Sequence, residues 1–368
     1  MIRTLIHKDT GESYTITLDQ TTLITQSEAQ KTELKLSSPL EGTRTFEKKE
    51  WEQLKKGFVY SIPEAQQGKP RLHQFIQRAY TGCLSMVDLK DKIGVYRHQN
   101  FDNDILDLFQ CDGTYLKALT LPKALPWSLR YMVQHQLLIM DVDHYIYGMD
   151  LVTEIAAQWT SGFETPASFI STSKSLVFYG ASPNIFLKDV AKNDLLFTRE
   201  MPLENFGGHT PVFQGCLSED EQQLAICTRP GAVDLLDLSG ELIKTIEGNF
   251  QIADKMEFLD NTTLLIKEKY GTGGLRLFDL ESGEELLDKI HKTPNSGGKY
   301  VDSFDLDRKN NRLLITNRAK ATVYQLPTFE PLLSFPIEHC VKQAQAIFTG
   351  DNTVSVRTDY GCFSMYSV

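Results

Sequence analysis

Cysteine is sparse, and none of Cys83, Cys111, Cys216, Cys227, Cys340 and Cys362 belongs to a C-x-x-C pair. That excludes the short zinc and dithiol motifs and points to buried free thiols in a reducing compartment. Long apolar runs are missing too: nothing approaches the ~18–20 residues that span a bilayer. The opening stretch, MIRTLIHKDTGESY, has neither a continuous apolar core nor a small-residue cleavage site. A cytoplasmic protein with no membrane association is expected. Positive charge is in deficit, with a formal net charge of −10. Residues 1–80 carry 12 Lys and Arg against 10 Asp and Glu, whereas the remainder carries 26 against 38. An acidic body disfavours nucleic acid, whose phosphates need clustered cations, and tolerates a basic protein partner.

A coherent catalytic motif is also missing. GTGGL (Gly271 to Leu275) has phosphate-loop glycines but reads as a hairpin between strands, with no helix N-terminus behind it. NSGGKY (Asn295 to Tyr300) lacks the distal glycine of a Walker loop, and Tyr300 stands where Ser or Thr would meet magnesium. Asp141, Asp143 and His144 are the densest metal-capable group, but nothing nearby in sequence completes a ligand set. His339 and Cys340 are adjacent, which on a strand points them to opposite sides. Asp102 and Asp104 could meet Asp143 or Asp359 near a central channel and do acid–base work there. The expectation is nevertheless a protein with no catalytic residues, no metal and no cofactor.

What the chain does have is a repeat. Asp237 anchors the clearest unit, GAVDLLDLSGELIKTI, and equivalent positions are Gln110, Asp150, Asp189, Asp279, Gln325 and Ser367. They are separated by 40, 39, 48, 42, 46 and 42 residues. Units of about 40–45 residues with four short strands are the signature of propeller blades. The units run over 82–122, 127–160, 165–203, 211–248, 253–292, 300–338 and 342–368. The fourth also carries Gly207-Gly208-His209-Thr210, an acidic turn and Leu236-Asp237. It resembles a WD-repeat blade, with Leu236-Asp237 in place of Trp-Asp, and the other units resemble that family more weakly. The resemblance implies a mainly β, seven-bladed, WD-repeat-like β-propeller, with a His–Asp network confined to the blade of His209. The last unit has only three strands, so a strand from earlier in the chain, Phe58 to Ile62, is expected to close it.

Residues 1–62 read as a small α+β module and 63–81 as a linker with a short helix, Leu72 to Tyr80, before the propeller of 82–368. Strands are expected at Tyr14 to Leu18, Thr22 to Thr25 and Glu33 to Leu36, then a helix from Glu47 to Lys56 stopped by Gly57. That order resembles the WGR module, except that Ser27-Glu28-Ala29 occupies the place of its Trp-Gly-Arg. The nucleic-acid contacts of that module therefore do not carry over. Lys48, Lys49, Lys55 and Lys56 alternate with Glu47, Glu50 and Glu52, which reads as a solvated helix face.

By the same resemblance, turns between second and third strands and loops between blades form one partner-binding face. Its candidate contact residues are Asp143, Arg229, Tyr270, Arg318, Lys320 and Tyr360 from the turns, with Trp159, Phe250 and Tyr300 from the loops. Aromatic and Arg anchors are typical of interface hot spots. The expected function is a non-enzymatic protein-binding scaffold, in its narrowest form a cytoplasmic immunity protein that inhibits a basic bacterial toxin. Two alternatives are a propeller hydrolase or lyase with a central metal or carboxylate site, and nucleic-acid binding through the N-terminal module.

Overall fold

The computed structural model describes residues 1–62, 66–78, 83–99, 104–142, 145–160, 169–181, 183–201, 214–248, 250–268, 274–286 and 301–368. The N-terminal module contains β1 (Ile2–His7), β2 (Ser13–Asp19), β3 (Thr22–Ser27), β4 (Lys31–Lys35), helix α1 (Pro39–Leu54) and β5 (Phe58–Ser61). Next comes β6 (Pro70–Phe75). Six separate blades follow. The first holds β7 (Met86–Asp88), β8 (Lys92–Arg97), β9 (Ile105–Gln110) and β10 (Tyr115–Thr120). The second holds β11 (Pro126–Met132), β12 (Leu137–Val142), β13 (Tyr145–Asp150) and β14 (Ala156–Gln158). The third is β15 (Phe169–Thr172), β16 (Leu176–Ala181), β17 (Asn184–Asp189) and β18 (Asp194–Glu200). The fourth is β19 (Gln214–Leu217), β20 (Leu224–Arg229), β21 (Ala232–Leu236) and β22 (Leu242–Glu247). Three strands are described in the fifth, β23 (Ala253–Asp260), β24 (Thr263–Glu268) and β25 (Leu275–Asp279). The sixth has β26 (Ser303–Asp307), β27 (Arg312–Asn317), β28 (Lys320–Gln325) and β29 (Glu330–Pro336).

The final strands, β30 (Ala344–Phe348), β31 (Thr353–Thr358) and β32 (Cys362–Ser367), do not form a separate blade. They open a nine-stranded sheet in the order β30-β31-β32-β6-β5-β1-β2-β3-β4. The expectation of seven separate blades is thus corrected to six blades plus this composite sheet. Two further expectations fall with it. Leu72 to Tyr80 is not a helix, because β6 occupies Pro70–Phe75 and no helix follows in the described residues 76–78. The strand laid against β32 is β6, with Cys362 opposite Phe75 and Ser364 opposite His73; Phe58–Ser61 lies one strand further out. Alternation explains the choice: Leu72 and Gln74 bury one side while His73 buries the other, and only a strand sandwiched on both faces hides both.

In the module, an additional first strand, β1, pairs with both β2 and β5. The helix begins eight residues before its expected start. Ser38 caps it, its Oγ accepting from the Glu41 amide at 3.2 Å, and Pro39 fits the first turn, where an amide has no helical partner. Phe46, Glu50, Gln53 and Leu54 face inward from α1, and the module core of Leu5, Ile16, Leu23, Phe46 and Phe58 includes Cys362 of the propeller.

The repeat anchor has a physical cause. Asp150, Asp189, Asp237 and Asp279 end or follow a blade's third strand, and each carboxylate accepts amides of the next turn. Oδ1 of Asp237 takes Ser239 and Glu241 at 2.8 and 3.0 Å, and that of Asp150 takes Val152 and Thr153 at 2.8 and 2.9 Å. Hydrophobic cores sit between neighbouring blades: Leu106 and Leu108 of the first pack with Leu138 and Met140 of the second. All six thiols are free; Cys83, Cys216, Cys227 and Cys362 are buried, and Cys111 and Cys340 half-buried.

Trp159 shows how tight this packing is. A Cβ placed on Gly148 would lie 2.5 Å from Cζ2 of Trp159. Gly148→Ala is therefore expected to lower stability by about 1–3 kcal/mol, the usual cost of overpacking, read as a shift in the urea midpoint with an unchanged slope.

Candidate partner-binding face and central channel

The innermost strands β7, β11, β15, β19, β23, β26 and β30 line one channel with a cavity of about 320 Å³. Its charged groups largely satisfy one another. Lys255 Nζ donates to the Phe304 carbonyl at 2.9 Å and lies 3.9 Å from Glu257, which is also 4.0 Å from Arg130. Burial lowers the Lys255 pKa and raises that of Asp305, whose carboxylate accepts the Phe348 amide at 2.8 Å. At the opening lined by the turns after first strands, Arg308 donates to the Phe258 and Leu259 carbonyls at 2.5 and 3.0 Å, a structural tie between blades.

The carboxylates considered for acid–base work do not converge here. Asp104 is fully buried beyond the channel wall. It accepts from Tyr96 Oη and from the amides of Gln99 and Leu125 at 2.9 and 3.1 Å, and it meets His98 at 2.9 Å. Burial raises its pKa, but these donors outweigh that and hold it below the usual range. Asp359 accepts the amides of Val341 and Lys342 at 3.0 and 2.8 Å. Each therefore ties a turn to an inter-blade loop. The placement of Asp104 and Asp359 in second-to-third-strand turns was the signal that could have revealed this role. Asp102, Asp143 and His144 lie outside the described residues, as does His209.

Asp141, the described member of the proposed metal-capable group, points into the protein. It is buried, accepts the Ser128 amide at 2.5 Å, and burial pushes its pKa up to about 7. A carboxyl raised above its unfolded value of about 3.9 contributes stability that is full below that value and lost as pH rises towards 7. Asp141→Asn is expected to flatten this decline, measured by denaturant unfolding at intervals between pH 4 and pH 8.

The expected contact residues divide into three groups. Tyr270, Asp143 and Tyr300 fall outside the described residues. Arg229, Tyr360, Trp159 and Phe250 are engaged within the fold. Arg229 pairs with Asp234 at 3.0 and 3.2 Å. Tyr360 lies 5.0 Å from the Trp51 ring, Trp159 fills the space over Gly148, and Phe250 is buried 5.8 Å from Phe278. The third group is exposed: Arg318 and Lys320, on the two-residue hairpin where Asn317 pairs with Lys320. Arg318 adopts φ +52, and its amide donates to Asp302, a carboxyl that burial raises to about 6.

Around this hairpin the structure assembles a patch that sequence order conceals. Cys340 Sγ donates to the Arg318 carbonyl at 3.7 Å, bringing exposed Val341 and Lys342 alongside. Asp359 joins that loop to Tyr360 and hence to Trp51, whose ring lies 3.7 Å below Lys55 Nζ and 5.2 Å from the Arg78 guanidinium. Five exposed cations, Arg318, Lys320, Lys342, Lys55 and Arg78, thus flank an apolar and aromatic strip in a chain of net charge −10.

The fold is a WD-repeat-like β-propeller, and comparison with solved structures agrees. A chain from the "Crystal Structure of Mitotic Checkpoint Complex" superposes with a TM-score of 0.61, covering 84% of this chain and 96% of that one at 13% identity. At that identity the likeness concerns the fold alone. No family model matches the sequence, and no curated protein matches it. No helix among the described residues is long and apolar enough to cross a membrane.

Proposed function

We propose that this propeller is a non-enzymatic scaffold that binds a protein partner through the face containing Arg318, Lys320 and Val341. The observation that carries the reading is the exposed cationic strip with its apolar centre, continuous from the sixth blade to Trp51 of the module. Such a surface suits an acidic protein segment with an apolar or aromatic residue at its middle. The expectation of a basic partner drew on net charge, whereas this part of the face presents cations. Among the described residues, Asp104 and Asp359 are taken up by loop ties rather than facing each other as an acid–base pair.

Immobilised wild-type protein and an R318E/K320E/K342E variant, each challenged with lysate of the source cells, test the proposal. The wild type is expected to retain a stoichiometric protein whose affinity falls by roughly tenfold or more in the variant, each rim charge contributing modestly. Equal retention by both would move the binding site elsewhere. Capture that disappears with nuclease would favour the nucleic-acid alternative. The immunity-protein reading is narrower; it requires that the captured partner be toxic alone and harmless when co-expressed with this chain.

A further inference from the structure

Where the module meets the propeller, five polar side chains from distant parts of the chain share one buried site. Arg3 of β1 donates to Glu338 at 2.5 and 2.8 Å and to Glu50 of α1 at 2.8 Å. Beside them, Nε2 of His73 faces Nδ1 of His339 at 2.7 Å. The two rings are nearly coplanar, 15° apart with centroids at 4.9 Å, so they meet edge to edge with one proton between the nitrogens. His339 Nε2 contacts the Glu47 carbonyl at 3.0 Å, and a carbonyl can only accept. His339 therefore carries its proton on Nε2 and presents Nδ1 as a lone pair. The far nitrogen of His73 is held by Ser364 Oγ at 2.6 Å. Distal nitrogens fixed by a carbonyl and a hydroxyl, with the other two converging, are how metal-ligating imidazoles are oriented.

Cys362 completes the set. Its Sγ and one ligand atom from each imidazole lie within 4.8 Å of one another, and Glu50, His73 and Glu338 form a second such group. The site is enclosed, with Glu50 2% and His73 0% exposed.

We propose that this junction is a structural zinc site, with His73 Nε2, His339 Nδ1, Cys362 Sγ and one carboxylate oxygen from the Glu50–Glu338 pair as its four ligands. Two nitrogens, a thiolate and a carboxylate suit zinc rather than magnesium or calcium, which take oxygen ligands. On binding, the proton between the imidazoles moves to His73 Nδ1, where Ser364 Oγ accepts it, and the thiol proton passes to solvent. Ligand atoms around tetrahedral zinc are about 3.3–3.8 Å apart. The imidazoles must therefore part slightly, and Cys362 and the carboxylate, which share a group with His73 but not with each other, must close in. The ion would cross-link β6, the β29–β30 loop and β32.

Because the site is enclosed, the full-length chain is unfolded with chelator and refolded with or without zinc, then analysed for metal content and thermal unfolding. One zinc per chain and a higher midpoint in the zinc-refolded sample are expected. Cobalt refolding should give a thiolate-to-cobalt charge-transfer band that C362S loses and C216S, altered at a buried thiol elsewhere, keeps. Less than about one zinc per ten chains, with coincident unfolding curves, would overturn the proposal. Should C362S fail to fold, the wild-type metal content decides alone.

Discussion

Arg3→Met is expected to destabilise the protein by about 3–5 kcal/mol, the range for removing one partner of a buried ion pair. The guanidinium is 14% exposed and answers both Glu50 and Glu338, and it also lies 4.5 Å from the Tyr60 ring centre. Methionine fills much of the same volume but leaves the two carboxylates facing each other without a cation. The loss therefore measures uncompensated charge more than lost packing. Equilibrium unfolding in urea checks the magnitude. Adding Glu338→Gln to Arg3→Met should recover part of the loss, because the second change removes a buried carboxylate left without its cation. If the double variant were no more stable than Arg3→Met alone, electrostatic imbalance would be the wrong explanation.

The second large effect concerns the composite sheet. A chain starting at Gln66 keeps β6 on β32, whereas one starting at Ala79 loses Leu72 and exposes the β32 edge along with Phe363, Met365 and Phe109, which Leu72 packs with. The longer truncation should aggregate or melt without a cooperative transition, since an unpaired apolar edge is a template for association. The shorter should still melt cooperatively, at a lower temperature than the full chain. Its cost is moderated because Glu338, His73 and His339 become hydrated once the module is gone. Light scattering and calorimetry separate the outcomes. Equal behaviour of the two truncations would deny β6 its structural role.

The blades were readable because each repeats the same local physics: alternating apolar residues build strands, and the Asp after the third strand satisfies the following turn. Where that Asp is replaced, as at Gln325, a side-chain amide reaches the Asn311 carbonyl at 2.9 Å instead, so the period survives while the motif fades. The strand β6 was misread as helix because PRLHQFIQRAY lacks strict alternation. Both of its faces are covered, so burial extends over Leu72, His73 and Gln74 together.

The candidate contact residues were only partly legible. Turn-tip position correctly placed Arg318 and Lys320 at the surface. It could not reveal that Arg229 has Asp234 five residues away on the next strand, or that Tyr360 has Trp51 from another part of the chain.

Sequence alone determined the periodic strands, their buried faces, the free thiols and the acidic balance, because those follow from neighbours along the chain. The tertiary structure decided which strand covers β32 and what surrounds His73. Pairing partners there are separated by up to 335 residues, as between Arg3 and Glu338. Nothing in either local segment distinguishes an exposed guanidinium from one enclosed with two carboxylates. Only the closing of the sheet removes the water that would otherwise make the two cases alike.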